Sequence, residues 1–213
     1  DPDKIDVVYN GANDGFCPVD DDVRLDIRNK FSQGKPYFMF VGSLHPRKNL
    51  ARLFTAFDIF KNRNDNDIKL LIVGNKKWWS EPIKNAYEAM THKEDVIFAG
   101  RLSAEDLHLV TASALASVYV SYFEGFGIPI LEAFKCDTPV ITSNVTSMPE
   151  VAADAALLID PFNEESIADA MEKIMDEDLR HELINKGRIR RKDFSWDKAA
   201  EGWWRCIELT INN

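Results

Sequence analysis

The sequence predicts an α/β protein on a doubly wound parallel sheet, Rossmann-like in class. Short, almost wholly apolar runs recur along it: "YFMFVG", "IKLLIVG", "DVIFAG", "SVYVS", "PVITS" and "AALLID". Strands covered by helices on both faces read as such continuous runs, whereas a sheet with one wet face alternates. Several of them end in Gly or Ser, which suits turns at one edge of the sheet. The stretches between carry helical spacing, and strands alternating with helices imply parallel crossovers.

Taken in order, "IDVVY" is the first expected strand, and the turn-rich "NGANDGFCPVDDD" follows it. After "YFMFVG", a helical stripe carries Leu50, Leu53, Phe54, Phe57 and Phe60. After "DVIFAG", Ser103 with Asp106 three residues on comes close to a capping box. "NEESIADAMEKIMDEDLRHELI" and "SWDKAAEGWWRCIELTI" are expected helices, the closing one over about 195–212. No repeat, low-complexity stretch or linker intervenes, so residues 1–213 are expected to form a single domain.

Composition narrows the function classes. A chain with 45% hydrophobic and 29% charged residues is an ordinary globular one. No apolar run approaches the ~20 residues that span a bilayer. The net charge of −9 weighs against nucleic acid as a partner, so an anionic ligand must meet a local cluster of cations. Cys17, Cys136 and Cys206 show neither metal-ligand spacing nor a disulfide framework, which favours a reducing, cytosolic compartment. The opening "DPDKIDVVYN" has no initiator Met and no signal-peptide pattern, as expected of a fragment or processed form.

Ligands of such sheets bind beyond the carboxyl ends of the strands, which directs attention to the strand-to-helix junctions. In "VGSLHPRKN", Gly42 closes a strand, and Arg47 and Lys48 stand where a helix begins. Cations there oppose the helix dipole. Beside free helix-terminal N–H groups they make a seat for a phosphate or diphosphate, the alternative being a solvated basic turn. In "SYFEGFGIPILEAF", Glu124 follows a strand, Gly125-Phe126-Gly127 forms the turn, and Pro129 fits a first helical turn ahead of Glu132. Glycines let backbone N–H groups approach a ligand, and carboxylates accept from the paired hydroxyls of a ribose or hexose. The plainer alternative is a dipole-favoured Glu132 and an exposed Glu124. A dinucleotide fingerprint fails, because its third glycine is replaced by Ile130 and "PVITSN" ends without an acidic residue.

The stretch "EGFGIPILEAFKCDTPVITSNVTSMPEVAADAALLIDP" closely resembles the donor-side signature of glycosyltransferase family 4, retaining enzymes of the two-domain GT-B fold. That signature is a Glu, seven residues and a second Glu, matched by Glu124 and Glu132. "YFMFVGSLHPRKNLARLFTAF", "DVIFAGRLSAEDL" and "FSWDKAAEGWW" resemble further segments of the same family in order, so the likeness covers nearly the whole chain. It implies the C-terminal half of a GT-B fold and a nucleotide diphosphate-sugar as substrate. Lys48 would grip the diphosphate from the loop of Gly42 and Ser43. Glu124 would stand beside the transferred sugar, the amides of Gly125, Phe126 and Gly127 would hold its hydroxyls, Ile128 would also belong to the donor site, and Glu132 would bind the ribose. The base would lie near Gly74-Asn75 and Arg101-Leu102. Many members carry Arg directly after the glycine matching Gly42; this chain has Ser43, and Arg47 is expected to supply the cation from the other side of the loop.

The resemblance further implies metal-independent hexosyl transfer, with no cofactor and with Lys48, Arg47 and Glu124 as catalytic groups. The "GSLHPRKN" loop resembles the subgroup that uses GDP-mannose. The acceptor would be a glycan or lipid-linked sugar in polysaccharide biosynthesis, received by an N-terminal Rossmann domain absent from this chain, which alone is expected to be inactive. The parent enzyme would be cytoplasmic, peripheral at the inner face of the cell membrane. An epimerase-like GT-B enzyme and a non-catalytic nucleotide-binding module are the alternatives. Outside the motifs, one of Trp203 and Trp204 is expected in the core and the other at an interface, and Trp78-Trp79 in packing or lining a cleft. Arg188, Arg190, Arg191 and Lys192 read as a solvated helix face. His45 falls in the phosphate loop, and His92, His108 and His181 read as surface residues.

Overall fold

A computed structural model of the chain describes residues 5–211. Its strands are β1 (Tyr37–Val41), β2 (Lys69–Val73), β3 (Val96–Gly100), β4 (Ala116–Tyr119), β5 (Val140–Ser143) and β6 (Leu157–Ile159). All pairings are parallel, in the order β3-β2-β1-β4-β5-β6. These are the six apolar runs of the sequence, and the reason is visible in β1. Phe38 and Phe40 enter one core cluster while Tyr37 and Met39 enter another, so both faces of the strand are dry.

The helices are α1 (Asp21–Ser32), α2 (Leu50–Arg63), α3 (Glu81–Glu88), α4 (Ala104–Ser113), α5 (Ile128–Lys135), α6 (Met148–Ala152), α7 (Glu164–Lys173), α8 (Glu177–Arg190) and α9 (Trp196–Ile211). The predicted stripe of α2 is wholly buried, with Leu50, Leu53, Phe54, Phe57 and Phe60 against β1, β2 and α7. Val110 of α4 and Ile27 of α1 cover the opposite face. Ser103 caps α4 as expected, its hydroxyl accepting from the Asp106 N–H at 3.0 Å.

Several expectations are corrected. Ile5–Tyr9 is not a strand, and Ile5 and Val7 are largely exposed. β-Branched residues favour extended backbone, but this segment meets no sheet edge; Val8 instead packs on Gly202 of α9. The long helical stretch beginning at Asn163 is two helices, because the Asp176 carboxylate accepts from the Asp178 and Leu179 N–H groups and starts α8 afresh. Trp203 and Trp204 both stand on the exposed face of α9, so neither is core. Trp79 packs among Phe54, Tyr87 and Phe98; the side chain of Trp78 lies outside the described residues. His92 and His108 are half-buried, against Asn62 and Cys17 respectively.

The basic run has structural work. Arg191 donates to the carbonyls of Phe134 and Lys135 at the end of α5, at 2.8 and 3.0 Å, and Arg188 pairs with Asp137 at 2.7 Å. Cations suit a helix C-terminus, where carbonyls are left over. Gly187 lets α8 press onto α5, since a Cβ there would lie 2.9 Å from the Phe134 ring. Among the described residues no helix is long and apolar enough to cross a membrane.

Candidate donor site at the switch point

The strand order reverses between β1 and β4, and that is where a crevice opens in a doubly wound sheet. β1 runs into Gly42 at φ +151° and β2 into Gly74 at φ +156°. The two loops touch there, and a Cβ on Gly74 would stand 1.9 Å from the Gly42 carbonyl oxygen. Past exposed Ser43 the chain makes a short 3-10 turn at Pro46–Lys48. His45 caps that turn, its Nδ1 accepting from the Arg47 N–H at 3.2 Å. Asn49 follows at φ +64°, a conformation Asn tolerates. Its side-chain amide donates to Val120 O at 3.0 Å and Pro161 O at 2.6 Å, tying this loop to the ends of β4 and β6.

These turns deliver both cations onto one carboxylate. Lys48 Nζ is 2.6 Å from Glu124 Oε1, and Arg47 Nη1 is 2.6 Å from Glu124 Oε2. Lys48 also donates to the Tyr119 hydroxyl at 2.9 Å, and Arg47 to Phe123 O at 3.0 Å. Lys48 and Glu124 are buried, while Arg47 is part-exposed. Burial raises the Glu124 carboxyl, but hydrogen bonds from Lys48 and Arg47 outweigh it and hold the group below its ordinary range, ionised. Burial lowers the Lys48 ammonium, and Glu124 restores part of that. Burial, then the Glu124 charge, raises Tyr119, so its hydroxyl stays protonated at neutral pH. The sequence reading passes over Tyr119, because a Tyr inside an apolar strand run looks like core.

The glycine turn is braced from the loop between β5 and α6. The Ser147 hydroxyl lies 3.0 Å from Glu124 O and 2.8 Å from Phe126 O, and the Glu124 N–H points at Thr146 Oγ1 at 3.3 Å. The Phe126 ring packs on Tyr9 and Phe194, so this residue offers the crevice only its backbone. Gly127, at φ +117°, caps α5. Among the described residues no acceptor meets the N–H groups of Gly125, Phe126 or Gly127. These N–H groups lie beside a cluster of net charge +1, two cations less one carboxylate. Ile128 opens the helix, exposed.

The remaining candidates are not gathered into this cluster. Glu132 sits half-buried on α5, with no hydrogen-bond donor to its carboxylate among the described residues, and burial pushes its pKa up. Its charged form is therefore disfavoured in the fold. Stability from this group is greatest below the unfolded value of 4.5 and falls as pH rises through the higher folded value. Glu132→Gln is expected to raise Tm at pH 7 and to change it little at pH 4. Calorimetric melts at the two pH values check this, and an equal shift at both contradicts it. Asn75, exposed after β2, spends its side-chain oxygen on the Lys77 N–H at 3.1 Å. Arg101 is exposed after β3, whereas Leu102 packs into the cluster of Tyr37 and Met39.

Known proteins resemble the chain over most of its length. Residues 23–190 match the family described as "Glycosyl transferases group 1". The chain is 34% identical over 177 residues to O-antigen chain mannosyltransferase B of Escherichia coli, covering 83% of this chain and 45% of that protein. It is 30% identical over 207 residues to O-antigen chain mannosyltransferase RfbU of Salmonella typhimurium, covering 96% and 53%. The chain thus spans about half the length of these curated relatives. Its fold matches the crystal structure of the C-terminal domain of a glycosyl transferase group 1 family protein from Francisella tularensis. That match has a TM-score of 0.71 at 20% identity, and covers 84% of this chain and 94% of that one.

Proposed function

The chain belongs to the group 1 glycosyl transferases, and from that premise we propose that it is the donor-binding C-terminal half of a retaining, metal-independent hexosyltransferase. The observation that carries this reading is the Lys48–Glu124–Arg47 cluster at the switch point, with the unmet amides of Gly125 to Gly127 beside it. The donor is GDP-mannose, a choice supported by the "GSLHPRKN" loop and by the mannosyltransferase relatives.

The diphosphate lies over Lys48 and Arg47. As the bond from the anomeric carbon to the diphosphate oxygen breaks, negative charge gathers on the leaving oxygen. The two cations, already held in place by Glu124, stabilise it without rearranging. Arg47 takes the part played in many members by an Arg at the position of Ser43. Glu124 accepts from a sugar hydroxyl while still holding Lys48, and the amides of the glycine turn donate to neighbouring oxygens. The Glu132 carboxylate accepts from the two ribose hydroxyls, so the group that weakens the empty fold gains its partners on binding. The acceptor, a glycan or lipid-linked sugar, attacks from the face the nucleotide leaves. A preceding domain of the same protein presents it, so this chain alone turns over little. The three free thiols fit a cytoplasmic setting.

Titration calorimetry of the protein against GDP, UDP and ADP, with and without EDTA, tests the reading. GDP is expected to bind with EDTA-insensitive affinity, and binding is expected to be lost in Lys48→Ala and Glu132→Ala. Binding of UDP or ADP instead would correct the base, and binding of no diphosphate would overturn the proposal.

A further inference from the structure

Two large aromatic residues stand in solvent at the rim of this crevice. Phe123 is 61% exposed and Phe162 56%, on the loops that follow β4 and β6. Both loops are held firmly. The Tyr122 N–H donates to Arg47 O at 3.0 Å, Arg47 returns a bond to Phe123 O, and Asn49 binds Val120 O and Pro161 O. The Phe162 N–H is fixed by Asp160 Oδ1 at 2.9 Å. The Tyr122 and Phe162 rings stack, 5.9 Å between centroids and 27° between planes. The Arg52 guanidinium lies 5.6 Å from the Phe162 centroid and is paired with Glu164, Nε to Oε1 at 3.4 Å. Arg52 and Glu164 are both part-exposed.

Exposed apolar rings held at the rim of a crevice offer a surface on which a ligand can lie. Their surroundings select which. Tyr122 stacks on the Phe162 ring and the Arg52 guanidinium lies over it. The exposed parts of Phe162 and the Phe123 ring thus stand in company with a guanidinium and a carboxylate, each with hydrogen-bonding capacity to spare, which suits a pyranose. The C–H face of the sugar lies on the ring, and its hydroxyls reach the charged groups. An acyl chain would strip water from Arg52 and Glu164 and give them nothing in return. The nucleobase candidates Asn75 and Arg101 follow β2 and β3, on the other side of β1.

We propose that Phe123 and the stacked Tyr122–Phe162 pair, with Arg52 and Glu164, form a subsite for a hexopyranose ring of the acceptor glycan on the donor half itself. This rests on the transferase reading above and names the substrate that the reading leaves open. The chain then selects its acceptor as well as its donor, because Phe123 immediately precedes the carboxylate that meets the transferred sugar.

The test uses the whole protein carrying this chain, with GDP present and mannobiose as probe, followed by saturation-transfer NMR. Wild type is expected to bind mannobiose. Phe123→Ala and Phe162→Leu, the latter keeping apolar bulk without a ring, are expected to weaken it roughly three- to tenfold, the scale of one aromatic contact. Phe162→Trp is expected to restore binding, and GDP affinity by calorimetry is expected to be unchanged in every variant. No mannobiose binding to wild type overturns the subsite, and so does wild-type binding by both ring-less variants. Loss of GDP binding in wild type strikes the transferase reading instead, so the two failures are told apart.

Discussion

Lys48→Ala is expected to lower glycosyl transfer by roughly 10²–10³-fold, the scale of removing one fixed group that stabilises developing charge. The lysine is the buried member of the cation pair, with its Nζ held at 2.6 Å by Glu124 and 2.9 Å by the Tyr119 hydroxyl. It is therefore aimed before any ligand arrives. Its removal also leaves a buried carboxylate with one partner in place of two. Breaking a buried pair costs about 3–5 kcal/mol when nothing remains, and Arg47 keeps the cost below that range. Lys48→Ala combined with Glu124→Gln is then expected to recover much of the lost Tm and none of the lost rate. Radiolabelled transfer by the whole protein, with melts of both variants, decides this. A single variant within threefold of wild-type turnover would remove Lys48 from the mechanism.

The largest effect on stability is expected from Gly74→Ala. Its Cβ would fall 1.9 Å from Gly42 O, far inside contact distance, at a backbone φ of +156° that side chains rarely adopt. Neither partner is free to yield. Gly42 N–H is bonded to Val73 O at 3.0 Å, and Gly74 N–H to Gly100 O at 2.8 Å. Relief must break one of those bonds, so a loss of roughly 3 kcal/mol or more is expected, about 6–12 °C in Tm for a chain of this size. Gly125→Ala is the control, because nothing lies within 4 Å of its Cβ position. Melts of the two variants that differ by less than a few degrees would show that the loops part easily.

Most of the fold is legible in the sequence for one physical reason. A strand set between helices carries few polar residues, and those that β4 and β5 bury, Ser117, Thr142 and Ser143, are small, so the apolar runs mark themselves. α1 escapes notice because it buries little beyond Ile27 and Ser32, so no apolar stripe announces it. "IDVVY" misleads in the opposite way: its composition favours extended backbone, but a strand also needs a neighbour to pair with, and residue types do not disclose one. In the site, Lys48 and Arg47 draw notice as cations at a helix start, whereas Glu124 is singled out by the family resemblance of its loop. Their meeting is not legible, since it depends on β1 and β4 lying side by side. The same holds for Tyr119, whose hydroxyl matters only because Lys48 arrives above it, and for Ser147, which braces the glycine turn from the loop after β5. Trp203 and Trp204 of α9 show the limit of residue type as a guide to burial, since both stand in solvent.

The strand order has a hereditary consequence. Gly42 to Leu102, with every residue assigned to phosphate or base, are encoded ahead of β4, whereas Glu124 to Glu132, assigned to sugar and ribose, come after it. Spatial neighbours in the crevice are thus two separate blocks of the gene. A recombination break in the stretch between α4 and β4 would exchange one block whole and leave the other intact. Two paralogues can in this way trade nucleotide preference while each keeps its sugar, and descent can reshuffle donors without redesigning the crevice.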